Sequence, residues 1–248
     1  MLTLEKLVAD LEALGLERGD NVLVHSSLSK LGWVPCGAET VIGALLTAVG
    51  DEGLVAVPTL TGSRELGPDN PPVFDPQHTP CWVGIIPETF RKREDAVRSL
   101  HPTHSVAAIG ARCAELVAGH EMAAAPCGPG TPYYKLAAWG GKILFLGVDL
   151  RVNTTYHGLE EEWDAPGHLQ RLPVEAQIIQ DGVVRVIETR IHQYGIPRDY
   201  MKTLPLLQEA GVIEEGLVGE AHSYLIKSAP MIQLVGRELS RNPRYLYS

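Results

Sequence analysis

NVLVHSSLSKLGWVPCGAETVIGALLTAVGDEGLVAVP, residues 21–58, decides the fold class. Val22-Leu23-Val24 is a short apolar run that turns polar at His25, which reads as a buried strand giving way to a loop. Ala38 to Val49 carries apolar side chains at helical spacing and is closed by Gly50, and Leu54 to Pro58 is again continuously apolar. Strand, helix, strand is the opening unit of an α/β sheet.

Upstream, Leu4, Leu7, Val8, Leu11 and Leu14 share one helical face, with Glu5, Asp10 and Glu12 on the other, so the chain starts on an amphipathic helix and not on a signal peptide. Downstream, residues 59–80 are rich in Pro, Gly and Asp and read as a long irregular loop, the kind that is usually functional or mobile. Helices are expected over 85–93 and 112–118, and strands at SVAAIG (105–110) and KILFLGV (142–148). A short helix through Glu162 precedes VEAQIIQDGVVRVIETR (174–190), where Asp181-Gly182 supplies a hairpin turn. Helices near 204–210 and 229–240 follow. Because the hairpin needs antiparallel neighbours, the sheet should be mixed, with helices on its faces.

The 248 residues fit one larger α/β domain, 1–248, and 45% hydrophobic with 21% charged residues is ordinary for a chain with a continuous core. No apolar stretch is long enough for a membrane span. The four cysteines are single, without a CxxC pair, and are expected as reduced thiols of a cytoplasmic protein. A net charge of −9, with no basic run longer than Arg91-Lys92-Arg93, argues against nucleic acid as a partner and favours a cationic ligand.

Three polar clusters stand where strands run out: HSSLSKLG (25–32), HPTHS (101–105) and NTTYHGLEEEW (153–163). Such strand-end loops are where open α/β sheets bind ligands. His157 stands three and four residues before Glu160 and Glu161, so a carboxylate on the same helical face can orient the imidazole and raise its basicity. The same spacing also occurs on solvated helix faces. His101, His104 and His157 with a carboxylate could hold zinc, although neither HExxH nor a cysteine pair supports it. Cys127 could serve as a nucleophile, and Gly128 and Gly130, ahead of a helix over 131–139, could cradle a phosphate.

Taken in order, HSSLSKLGWVPCGAETVIGALLTAVGDEGLVAVPTLT, FDPQHTPCWVGIIPETFRK, RSLHPTHSVAAIGARCAELVAGH, CGPGTPYYKL and LGVDLRVNTTYHGLEEE resemble the antibiotic N-acetyltransferase family, whose best-known members are aminoglycoside 3-N-acetyltransferases. The resemblance spans roughly residues 5–165. It implies a three-layer α/β sandwich with a mixed central sheet, using acetyl-CoA and no metal. It also implies a small cationic amine as acceptor and a monomer or homodimer. On it, His157 is the general base, Glu160 orients His157 or holds the cationic substrate, and Asp149 joins them. The coenzyme site falls on His25, Ser26, Ser27, Ser29, Leu31, Gly32, His104 and Ser105, with Ser26, Ser27 and Ser105 as donors to phosphate or oxyanion. The segment TGSRELGPDNPPV (61–73) is shorter than in typical members, which leaves open an acceptor other than an aminoglycoside. A metal- or cysteine-dependent hydrolase and a non-catalytic coenzyme-binding protein are the readings from other classes.

Overall fold

The computed structural model describes residues 1–248. In chain order its elements are α1 (Leu4–Ala13), β1 (Asn21–Ser26), α2 (Ala38–Val49), β2 (Leu54–Pro58), β3 (Val73–Phe74), α3 (Ile85–Phe90), β4 (Val97–Arg98), β5 (Val106–Gly110) and α4 (Cys113–Val117). They continue with α5 (Pro132–Ala138), β6 (Lys142–Leu146), α6 (Thr154–Glu162), β7 (Val174–Gln180), β8 (Val183–Thr189), α7 (Leu204–Glu209), β9 (Ile213–Val218), β10 (Ala221–Lys227) and α8 (Ser228–Arg241).

Seven strands form the central sheet in the order β4-β5-β2-β1-β6-β10-β9. The middle three, β2, β1 and β6, are parallel, and an antiparallel pair flanks them on each side. Alternation along each strand sends side chains to opposite faces. Val22 and Val24 of β1 pack with α1, α2 and α3, while Leu23 between them packs with α4 and α5. In β6, Leu144 and Leu146 join the first cluster, whereas Ile143 and Phe145 meet α6, α7 and α8 on the other side. Helices therefore cover both faces, giving three layers, and each fully buried Leu or Val contributes roughly 1.5–3 kcal/mol.

The central sheet is mixed, but not for the expected reason. The 174–190 hairpin forms, with seven cross-strand pairs and with Asp181 and Gly182 both at positive φ (52° and 78°), the conformation a two-residue turn requires. It stands outside the central sheet, in a small sheet ordered β3-β7-β8. The antiparallel edges come instead from β4 and β5 on one side and from β9 and β10 on the other, the latter a hairpin that the sequence patterning did not reveal. Adjacent exposed Glu214 and Glu215 and the interior Gly216 erase the alternation of β9, which is an edge strand.

The 59–80 loop is fixed from inside by two arginines. Arg98, buried on β4, donates to Thr59 O (3.0 Å), Pro76 O (3.1 Å) and Thr79 O (2.7 Å), and lies over the Phe74 ring. Arg91 donates to Gln77 O (2.8 Å) while its other nitrogens hold Glu88. Val73 and Phe74, also within this loop, pair in parallel with Gln177 and Ile178, so the loop is part of the small sheet.

Strand β1 is central to the site. From its carboxyl end the chain runs through α2 to β2, whereas the parallel neighbour on its other side, β6, runs into α6 on the opposite face, so the connections from these two adjacent strands diverge. A crevice opens at such a switch point and is the preferred ligand position in open α/β sheets.

Candidate active site

A cavity of about 830 Å³ lies at that point. The end of β1 gives it His25, Ser26 and Ser27, and the following turn gives Ser29. The start of α3 and the side chains of Leu60 and Trp82 form one wall, and Val148, Arg151, Val152, Thr154 and His157 form the opposite one. The lining is mostly apolar and contains no carboxylate; Arg151 is its single permanently charged side chain. Two buried polar atoms in the lining, His25 Nε2 and Ser26 Oγ, have no hydrogen-bond partner in the protein. Burial holds the His25 ring, stacked on Phe145, down to about 3, so it stays neutral.

His157 reaches the cavity from α6. Asn153 caps that helix by accepting from Thr155 N at 3.1 Å, fixing where the first turn begins. One helical turn on, His157 Nδ1 lies 2.9 Å from Glu160 Oε2 and 3.0 Å from Tyr200 Oη, and the tyrosine hydroxyl donates to the same carboxylate oxygen at 2.9 Å. Arg198 Nε completes the cluster, 2.7 Å from Glu160 Oε1. Burial raises the Glu160 carboxyl, but the hydrogen bond with His157, together with the neighbouring His168 and Arg198, outweighs it and holds it at about 2. An ionised carboxylate only accepts, so Nδ1 carries the proton and the Nε2 lone pair is left free.

Glu161 is in the opposite state one residue further. Burial pushes it up to about 8, and it accepts from Cys127 N (2.9 Å) and meets His192 Nε2 at 2.6 Å. It fastens the CGPG loop to α6. Gly158 permits that contact, since a Cβ there would stand 2.3 Å from Cys127 O. The CGPG loop is thus a packing element away from the cavity, with Thr131 Oγ1 closing it onto Cys127 O and Gly128 O. Cys127 is fully buried with its thiol pushed up by burial, which removes the thiolate a cysteine nucleophile needs.

Of the residues singled out in the sequence, the fold brings His25, Ser26, Ser27, Ser29 and His157 onto one cavity, with Glu160 directly behind His157. The others do not line it. Leu31 is buried in the core under α1 and α2, and Gly32, at φ +89°, packs against the Glu220 carboxylate. Ser105 is turned inward, bonded to Thr59 Oγ1 at 2.8 Å and to Arg98. His104 stands behind the site, its ring centroid 6.3 Å from that of His157 and 4.1 Å from that of His192. Asp149 caps the turn before α6 and is paired with Arg151, not with His157. His101 closes the HPTHS turn by accepting from His104 N at 3.1 Å, so it does not converge with His104 and His157. Tyr200, Arg198, His168 and His192 were missed: they lie 11 to 43 residues from His157, with no spacing pattern to mark them.

A histidine anchored by a carboxylate on a largely apolar cleft of an α/β sheet is an arrangement able to activate a nucleophile by general base catalysis. Comparison with known proteins gives the family. The family model described as aminoglycoside 3-N-acetyltransferase matches residues 23–240, and the chain belongs to that family. It is 34% identical to aminoglycoside N(3)-acetyltransferase VII of Streptomyces paromomycinus, over 93% of this chain and 89% of that protein. Among solved structures it is similar to aminoglycoside acetyltransferase AAC(3)-Xa, with TM-score 0.85, 32% identity, and coverage of 99% of this chain and 94% of that one. It is also similar to AAC-IIIb determined as a binary complex with CoASH, with TM-score 0.83, 28% identity and 96% of both chains covered. The protein is accordingly an acyltransferase. No helix is long and apolar enough to cross a membrane.

Proposed function

We propose that the protein transfers the acetyl group of acetyl-CoA to the 3-amino group of an aminoglycoside, with His157 as general base. The observation that carries this reading is the His157 imidazole on the cavity wall, its Nδ1 proton held by the ionised Glu160 carboxylate and the Tyr200 hydroxyl. An ammonium has no lone pair with which to attack a thioester. The imidazole removes the proton as the C–N bond forms, and general base catalysis of this kind contributes roughly 10²–10⁴-fold.

The cavity suits the coenzyme. Its apolar walls and volume fit the pantetheine arm, and Arg151 at the rim offers a cation to the phosphates. The partnerless His25 Nε2 and Ser26 Oγ supply neutral donors that a thioester oxygen can use as negative charge develops on it. That AAC-IIIb was solved with CoASH supports the same assignment. The absence of carboxylates from this lining means that the cationic acceptor is recognised outside it, on the far side of His157. The compact 61–73 segment keeps a second acceptor in view, a small amine other than an aminoglycoside. With acetyl-CoA as donor, the reaction belongs in the cytoplasm.

The test is incubation with acetyl-CoA and a panel of aminoglycosides and simple polyamines, following thiol release and product mass. One added acetyl group on an aminoglycoside, located at the 3-amino position, is the expected result. Thiol release with polyamines alone would replace the acceptor, and no thiol release with any amine would overturn the reading.

A further inference from the structure

Behind His157 lie two more imidazoles. The ring centroids of His157, His168 and His192 are 4.3 to 5.3 Å apart, and one nitrogen from each lies within 4.8 Å of the other two. His168 and His192 are buried, and His168 Nε2 has no hydrogen-bond partner in the protein. All three rings are backed by a glutamate, His157 and His168 by Glu160 (2.9 and 3.2 Å) and His192 by Glu161 (2.6 Å), as histidines that ligate metals usually are, and Arg198 also lies 2.8 Å from His168 Nδ1. We propose that His157, His168 and His192 form a capture site for a borderline divalent cation of the zinc type, and that its occupation switches the enzyme off.

Nitrogen ligands at about 2.0–2.1 Å from a tetrahedral ion stand about 3.3 Å from one another, so side-chain rotation of little over an ångström closes the three onto one ion. Imidazole suits Zn²⁺, Cu²⁺ and Ni²⁺, and not Mg²⁺ or Ca²⁺, which prefer oxygen. The ion has two approaches. One is the main cavity, through the partly exposed His157, and the other is a crevice of about 200 Å³ lined by Glu160, Glu161, Asp164, His168 and Arg190. Arg198, paired with Glu160, opposes the incoming charge, while the Glu161 carboxyl lies 2.6 Å from His192 Nε2 behind that ring. The inhibitory consequence rests on His157 being the base: a lone pair donated to a metal is not available to the amine. Cation binding itself does not depend on that reading.

Chelator-washed protein titrated with Co²⁺ should take up one ion per chain. Visible bands of low coordination number are expected, displaceable by Zn²⁺ and without a thiolate charge-transfer band. Zn²⁺ should abolish thiol release reversibly, and excess Mg²⁺ should not. His192→Gln, whose amide can still donate to Glu161, should lower Co²⁺ affinity at least about tenfold. His168→Asn should do the same, so that a folding defect in one variant does not decide the matter. His104, Cys127 and His192 form a neighbouring group that shares His192, and Cys127→Ser should leave Co²⁺ binding unchanged. No uptake by the wild-type protein, loss of binding in Cys127→Ser, or unchanged binding in both histidine variants would overturn the site. Co²⁺ uptake by a protein that acetylates no amine leaves the site standing and removes the proposed function.

Discussion

At the scale of single residues, two adjacent glutamates on one helix have opposite tasks. Glu160 is ionised and holds the His157 proton, while Glu161 is protonated through neutrality and holds a loop. Spacing from His157 made both equal candidates in the sequence; the difference comes from the His157 hydrogen bond, with His168 and Arg198, which folding brings to Glu160 alone. His157→Ala should lower turnover by ~100-fold or more with little change in acetyl-CoA affinity, because a general base acts on the transition state and not on the bound coenzyme. Tyr200→Phe keeps the Glu160 contact to His157 and removes one neutral hydrogen bond, worth about 1 kcal/mol, so a loss of up to about tenfold is expected. Steady-state thiol release measures both. A Tyr200→Phe loss as large as that of His157→Ala would make the hydroxyl, and not the imidazole, the proton acceptor.

At the scale of elements, the 21–58 stretch was legible because both strands are buried on both faces and the helix between them ends on Gly50, so apolar runs and a terminator carried the reading. The β9–β10 hairpin was not legible, because an edge strand needs only one buried face and Glu214-Glu215 interrupts even that. The site was legible to the same extent. Residues on β1 and α6 could be read from motifs, whereas the residues behind His157 come from the turn after α6 (His168) and from the segment after β8 (His192, Arg198 and Tyr200). Helix α6 itself is set by contact: Gly158→Ala would drive a methyl into Cys127 O and the Tyr134 ring, at 2.3 and 2.7 Å. Such overpacking costs roughly 1–3 kcal/mol and shifts the helix that carries His157. A lowered melting temperature together with a fall in kcat larger than any rise in the acetyl-CoA KM is expected, and unchanged values of both would show that the CGPG loop yields freely.

For the whole molecule, six histidines (25, 101, 104, 120, 168 and 192) are buried, and burial holds each below its ordinary value, His25 and His168 at about 3 and His120 at about 4. The unfolded chain takes up these protons near pH 6.5 and the folded one does not, so stability is full above that value and falls as pH drops toward the folded values. Each proton of difference steepens the fall by ~1.4 kcal/mol per pH unit. Glu161 acts with the opposite sign between about 4.5 and 8, one group against six. Melting temperature should therefore drop steadily from pH 7 to pH 5, and a flat profile would contradict the buried neutral rings. The molecule also has a seam: β3, inside the 59–80 loop, is hydrogen-bonded to β7, inside the segment that joins α6 to Arg198 and Tyr200. Two stretches more than a hundred positions apart are thereby tied edge to edge. A change of length in one of these stretches therefore pulls on the other, and a chimaera that exchanges one alone should keep α6 but lose its alignment with the residues behind it.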